Sequence, residues 1–167
     1  MAKIYVASSW RNAHQPDIVQ ALRDAGHEVY DFRNPAPGNT GFHWSSIDPC
    51  WQNWTPAGLR KGLGHEIAGQ GFGFDFGAME WADQCVLVLP TGRSAHLEAG
   101  WFMGQGKPVT ILALEAVEPE LMYLLAGSPD AITTTVQEML DRVELHDIDA
   151  HDQEPLDDYT TDLCDQQ

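Results

Sequence analysis

Glu98 is the residue of this chain placed most like a reagent. It lies in CVLVLPTGRSAHLEAG, residues 85–100, where an apolar, β-branched run ends in Pro90-Thr91-Gly92. A helix-forming stretch follows, with Ser94 as its expected N-cap. Read as strand, turn and helix, the segment puts Glu98 in the opening turn, just beyond the carboxyl end of a strand. Ligands of open α/β sheets bind there. Free N–H groups and the helix dipole favour an anion at that position, which suits Glu98 to attack as a nucleophile rather than to donate a proton. The plainer alternative is an acid that only stabilises the start of a helix.

A second acid lies in FDFGAMEWAD. Asp75 stands among aromatics and glycines, where a purely solvated carboxylate is unexpected. Two carboxylates can divide into nucleophile and general acid when their surroundings separate their pKa values. Asp83, next to the following strand, reads as a turn or cap residue, and Glu80 as solvent-facing. A third cluster is Ser8-Ser9-Trp10-Arg11-Asn12, after the first apolar run. Hydroxyls, backbone amides and Arg11 there can receive a phosphate or a sugar hydroxyl. Neither GxGxxG nor GxxxxGK[ST] occurs, which excludes the dinucleotide fingerprint and the P-loop.

The elements that must position these residues follow from periodicity. Lys3 to Ala7 reads as a buried strand, Gln15 to Ala25 as an amphipathic helix, and His27 to Phe32 as a second strand. Residues 33–56 hold six of the prolines and glycines that forbid long regular elements, yet also Phe42, His43, Trp44, Trp51 and Trp54. A long loop so rich in aromatics reads as a binding loop or lid whose rings can stack on a nucleobase. Short helices are expected at Pro56 to Gln70 and Phe74 to Asp83, then a strand at Cys85 to Leu89. A helix at Ser94 to Gly104 and a strand at Pro108 to Leu114 come next. Closing helices are expected at Glu118 to Leu125 and Ala131 to Val143, with a turn at Gly127 to Asp130. This is a three-layer α/β domain with four or five parallel strands.

Composition narrows the function. The chain of 167 residues suits one domain with a full core. Its domain is expected at residues 1–145, with 146–167 an acidic, flexible tail: eight acids and no Lys or Arg lie from His146 onward. The net charge of −16 argues against a polynucleotide partner, which needs clustered cations. No apolar run is long enough to span a membrane, and MAKIYVASSW reads as a first strand rather than a signal peptide. Three scattered cysteines fit neither a disulfide framework nor a Cys-based zinc site and suit a reducing cytoplasm. His43 has no second ligand at a metal-binding spacing, so no metal is expected.

KIYVASSWRN, VYDFRNP, GFHWSSID, the Asp75 segment and above all GRSAHLEAGWFMGQGKPV resemble, in order, the nucleoside 2-deoxyribosyltransferase superfamily, which includes 2′-deoxynucleoside 5′-monophosphate N-glycosidases. The match covers residues 3–114. It implies a flavodoxin-like, Rossmann-like fold, no cofactor, and cleavage of an N-glycosidic bond. By it, Glu98 matches the nucleophile that attacks C1′, Tyr5 a tyrosine that positions that Glu, and Asp75 an acid that helps protonate the leaving base. Ser9, Trp10, Arg11, Gly92, Arg93, Ser94, His43 and Trp44 then fall to substrate binding. Relatives acting on free nucleosides carry an acid six residues before the nucleophile. Here that residue is Gly92, followed by Arg93 and Ser94, and Arg11 matches an Arg of the phosphate-binding relatives. A phosphate gains from Arg, Ser and backbone N–H and is repelled by a carboxylate. The resemblance therefore points to a deoxynucleoside or, more strongly, its 5′-monophosphate, and to a homodimer or higher oligomer. The competing readings are a non-catalytic nucleotide-sensing module on the same fold and an FMN-binding flavodoxin-like protein. The carboxylate in the phosphate-loop region weakens the latter.

Overall fold

The computed structural model describes residues 1–151. Five parallel strands form one sheet: β1 (Lys3–Ala7), β2 (Glu28–Tyr30), β3 (Gln84–Leu89), β4 (Val109–Ala113) and β5 (Ile132–Thr133), in the order β2-β1-β3-β4-β5. Strands buried on both faces must be apolar throughout. β3, QCVLVL, is buried at every position. Successive side chains point to opposite faces. Tyr5, Cys85, Leu87 and Ile111 therefore join one core cluster with Ala78, Met79 and Phe102. Ile4, Val6, Val86 and Leu112 join the other with Ile18, Leu22, Met139 and Val143.

Those two clusters are the seats of the helices. α1 (Gln15–Asp24) and α5 (Val136–His151) cover one face; α3 (Glu66–Trp81) and α4 (Arg93–Gly104) cover the other. α2 (Pro56–Leu63) leads into α3. The result is the three-layer α/β sandwich that the apolar periodicity implies, with the upper count of strands. Strand order reverses direction at β1 and β3, so the loops after them diverge and leave a crevice at their carboxyl ends. Both chemistry-bearing loops, 8–14 and 90–92, leave from that crevice.

Several boundaries differ from the sequence expectation. The break between α2 and α3 falls at Gly64-His65, where the His65 side chain accepts from Ile67 N–H as an N-cap; the glycine-rich stretch of residues 69–77 stays helical. One of its glycines has a packing reason: a Cβ on Gly71 would sit 2.8 Å from the Phe42 side chain. The expected helix at Glu118 to Leu125 is a 3-10 turn over Leu121–Ala126, closed by Gly127 at φ 89°. The expected helix from Ala131 is a turn, then β5, then α5. α5 continues through residues 146–151, so the expected domain boundary at 145 falls inside a helix. The remainder of the acidic tail lies outside the described residues. No helix among the described residues is long and apolar enough to cross a membrane.

Candidate active site

β1, β2, α3 and α4 each contribute one side chain to a four-residue constellation. Tyr5 is 1% exposed on β1, and its ring stacks on Tyr30 of β2 at 5.4 Å between centroids and 16° between planes. Phe102 of α4 also packs against the Tyr5 ring, tilted by 40° at 5.6 Å between centroids. The Tyr5 hydroxyl donates to the Glu98 carboxylate. The Tyr30 hydroxyl donates to Oδ1 of Asp75 at 2.9 Å. Two carboxylates from different helices thus each take one phenol, and the two phenols are stacked on each other.

Helix α4 is capped two residues earlier than expected. Gly92, in extended conformation, is its N-cap without a side-chain cap bond, and Ser94 lies inside the helix. Glycine is an adequate N-cap and frees Ser94 for other contacts. Glu98 is therefore in the second turn, beyond the strongest part of the helix field. The expectation that the helix N-terminus holds Glu98 ionised is corrected accordingly. Burial first, then the neighbouring Asp75 charge, push Glu98 up to about 7, against the hydrogen bond from Tyr5. Burial also raises Asp75, opposed by the Tyr30 hydrogen bond. Burial and the surrounding carboxylates push both phenols up, so Tyr5 and Tyr30 stay protonated donors at any working pH. An ionised Asp75 makes Glu98 harder to ionise, so the two carboxylates titrate as a coupled pair.

The loop after β1 is fastened to the end of β3. Ser8 Oγ and Asn12 Nδ2 both donate to the Val88 carbonyl, at 3.0 and 3.1 Å, and Asn12 also donates to the Pro90 carbonyl. Arg33, which sequence reasoning passed over, donates to the Ser9, Trp10 and Asn12 carbonyls at 3.1, 3.1 and 2.8 Å. Its guanidinium also lies 5.7 Å from the Trp10 ring. This fixes Ser9, whose Oγ accepts from Arg11 N–H at 3.2 Å, while leaving the Arg11 side chain exposed.

The aromatic loop closes over the same end of the sheet. His43 lies on Trp10 at 4.2 Å, and Phe32 meets Trp10 edge-on at 5.2 Å. Trp44 is wedged between Phe42 and Trp54. Gly41 makes this closure possible: at φ 80° it adopts a conformation side chains avoid, and a Cβ there would meet the Phe32 carbonyl oxygen at 2.3 Å and the Trp10 ring at 2.8 Å. Gly41→Ala is expected to destabilise the protein by about 1–3 kcal/mol and to expose Trp10. Urea unfolding followed by tryptophan emission checks this; an unchanged midpoint would overturn it.

Between the loop and α3 lies a hollow of about 130 Å³, lined in part by Asn39, Phe42, Gln70, Phe74 and Asp75. Asp75 therefore faces both the tyrosine pair and an open space of small-ring size. Ser94, four residues before Glu98, shares its side of α4. Arg93 lies round the helix and lines a separate hollow of about 780 Å³ with His96, Leu97, Tyr123 and Leu125. So Tyr5, Glu98 and Asp75 come together, Trp10 and His43 form one stack, Trp44 packs behind it, and Arg93 opens onto the other side of α4. Tyr30, Asn39 and Gln70 were missed. Only Tyr30 carried a signal, as the aromatic at the end of an alternating strand. Among the described residues no three His, Cys, Asp or Glu side chains gather as a metal site.

Fold and site together define a doubly wound α/β protein with paired, phenol-bonded carboxylates at the switch point of its sheet. In fold the chain is similar to a 2-deoxyribosyltransferase of the psychrotolerant bacterium Bacillus psychrosaccharolyticus, with a TM-score of 0.56 and 23% identity over 84% of this chain and 91% of that one. A CMP N-glycosidase of Clostridium botulinum aligns with a TM-score of 0.45 and 18% identity, over 84% of this chain and 97% of that one. No protein-family model matches the sequence, and no curated protein does.

Proposed function

We propose that this protein is an enzyme of the nucleoside 2-deoxyribosyltransferase superfamily that cleaves the N-glycosidic bond of 2′-deoxynucleosides or their 5′-monophosphates. The observation that carries the reading is the pairing of Glu98 and Asp75 at the switch point, each bonded to its own tyrosine. The fold shared with a 2-deoxyribosyltransferase supports it.

In this reading a Glu98 oxygen bonds to C1′ as the C1′–N bond breaks. The electron pair of that bond leaves on the base, which takes a proton from Asp75. Water or a second base then attacks C1′ and displaces Glu98, returning a proton to Asp75. This is the two-carboxylate chemistry of a retaining glycosidase. The base sits in the hollow beside Asp75, and the sugar's 5′ end points to Ser9, Arg11, Gly92 and Ser94. Trp10, His43 and Trp44 close over it. Arg93 adds positive charge at the same helix end.

Incubation with dAMP, dGMP, dCMP and dTMP and the matching nucleosides, with and without an acceptor base, tests the proposal by base release or exchange. Absence of both from every member would overturn it. Arg11→Ala is expected to raise KM for monophosphates about tenfold, the order of one charge-assisted contact, and to leave nucleosides unchanged, and Arg93→Ala, from the other side of α4, to raise it less. Equal shifts on both substrate types would remove these residues from phosphate binding.

A further inference from the structure

We propose that Tyr30 is a positioning residue for proton delivery: its hydroxyl occupies Oδ1 of Asp75, which leaves Oδ2 as the oxygen that carries the proton to the leaving base. The inference rests on the glycosidic reading of the site and deepens it. Three observations carry it. The hydrogen bond is 2.9 Å long and joins side chains far apart in sequence. Asp75 opens onto the hollow beside the aromatic loop, so the oxygen not held by Tyr30 is the one free to meet a ligand. The Tyr30 ring stacks on Tyr5, whose own hydroxyl holds Glu98. One rigid aromatic pair therefore sets the orientation of both carboxylates.

A carboxyl group is roughly two-fold about its terminal bond and, unrestrained, presents either oxygen. Proton transfer in a transition state demands one oxygen aimed at one atom. The Tyr30 hydroxyl donates to Oδ1, so Oδ1 is the acceptor of the pair and Oδ2 the oxygen left to carry the acid proton. The step is balanced: the proton on Oδ2 moves to the base nitrogen, the C1′–N pair goes to the base, and Asp75 is left as a carboxylate stabilised by Tyr30. The groups facing this pair are Tyr5 and Glu98, with Asp31 beyond Tyr30 and Cys85 beneath Tyr5.

Tyr30→Phe keeps the stacked ring and deletes only the hydroxyl. Steady-state rates are compared on the best natural substrate and on 4-nitrophenyl 2-deoxyriboside, whose leaving group needs no proton. The expected result on the natural substrate is a kcat reduced tenfold or more with KM within twofold. The alkaline limb of the pH profile should move up, because the Asp75 carboxylate has lost a donor. The nitrophenyl substrate should react at the wild-type rate. In an Asp75→Asn background the same change should cost nothing further, since Tyr30 acts only through Asp75. Equal losses on both substrates, an unmoved pH limb, or additive losses in the double variant would overturn the proposal. A wild-type protein that releases neither base nor nitrophenol overturns the glycosidic reading, and this inference with it.

Discussion

Glu98→Gln is expected to abolish base release and, at the same time, to stabilise the protein at neutral and alkaline pH. If Glu98 is the atom that bonds to C1′, its amide has no comparable nucleophile, and the rate should fall about 10³-fold or more, at least ~4 kcal/mol of barrier. The stability change follows from the same burial that activates the residue. In the folded protein Glu98 is pushed up to about 7 from an ordinary 4.5. As pH rises from 4.5 to 7 the unfolded chain releases this proton while the folded protein keeps it, so folding loses stability over that window. The loss approaches ~3 kcal/mol once both states are ionised. Glu98→Gln never ionises and escapes it. Its thermal midpoint should therefore match wild type near pH 4.5 and exceed it by several degrees at pH 8. Lost activity with a raised midpoint separates removal of a nucleophile from damage to the fold. A denatured or adduct-trapping mass spectrum should show a deoxyribosyl group on the wild-type Glu98 peptide alone. Activity within tenfold of wild type would remove Glu98 from the covalent step, and an unchanged midpoint at pH 8 would remove the buried-carboxylate argument.

The same ionisation sets the acid limb of the reaction. A nucleophilic carboxylate must be ionised, so kcat/KM should rise through pH 7. Because Glu98 and Asp75 interact, the limb belongs to the pair.

Much of this arrangement was legible before the structure, but unevenly. The layers follow from periodicity: Ile18, Val19 and Leu22 mark one face of α1, and CVLVL can only be a strand buried on both sides. Boundaries were less legible where packing overrides local preference. The glycines around Asp75 read as a break, yet they sit within one helix, where a side chain at Gly71 would collide with Phe42. The partners Glu98, Asp75 and Tyr5 were named in sequence, and the fold brings them together. What placed them wrongly was electrostatics. The earlier cap of α4 put Glu98 in the second turn, and burial with the neighbouring Asp75 charge, both set by contacts across the chain, raised its pKa. Tyr30 and Arg33 were illegible in function because their roles are contacts across the chain. Tyr30 reaches Asp75 over 45 positions, and Arg33 braces backbone carbonyls of the preceding loop. No local pattern encodes either.

Asp75→Asn is expected to reduce kcat on natural substrates by about 10²–10⁴-fold, the usual contribution of a positioned general acid. Purine and pyrimidine anions are poor leaving groups, so loss of the proton donor falls directly on breaking of the C1′–N bond. A 4-nitrophenyl leaving group departs as a stable anion, and its release should survive the change. The substitution also carries a signature in pH. The Asp75 charge is, after burial, the second cause that raises Glu98. An uncharged amide removes that repulsion and also the acid whose deprotonation ends activity, so the alkaline limb should disappear from the residual activity. Asp75→Glu keeps the charge, lengthens the side chain past the Tyr30 hydroxyl, and should leave the limb in place while still lowering kcat. A slower enzyme without the alkaline limb and with an intact activated substrate identifies Asp75 as the proton donor. A slower enzyme with an unmoved limb and equal losses on both substrates would place Asp75 outside the chemistry, as a residue that only holds α3 against the tyrosine pair.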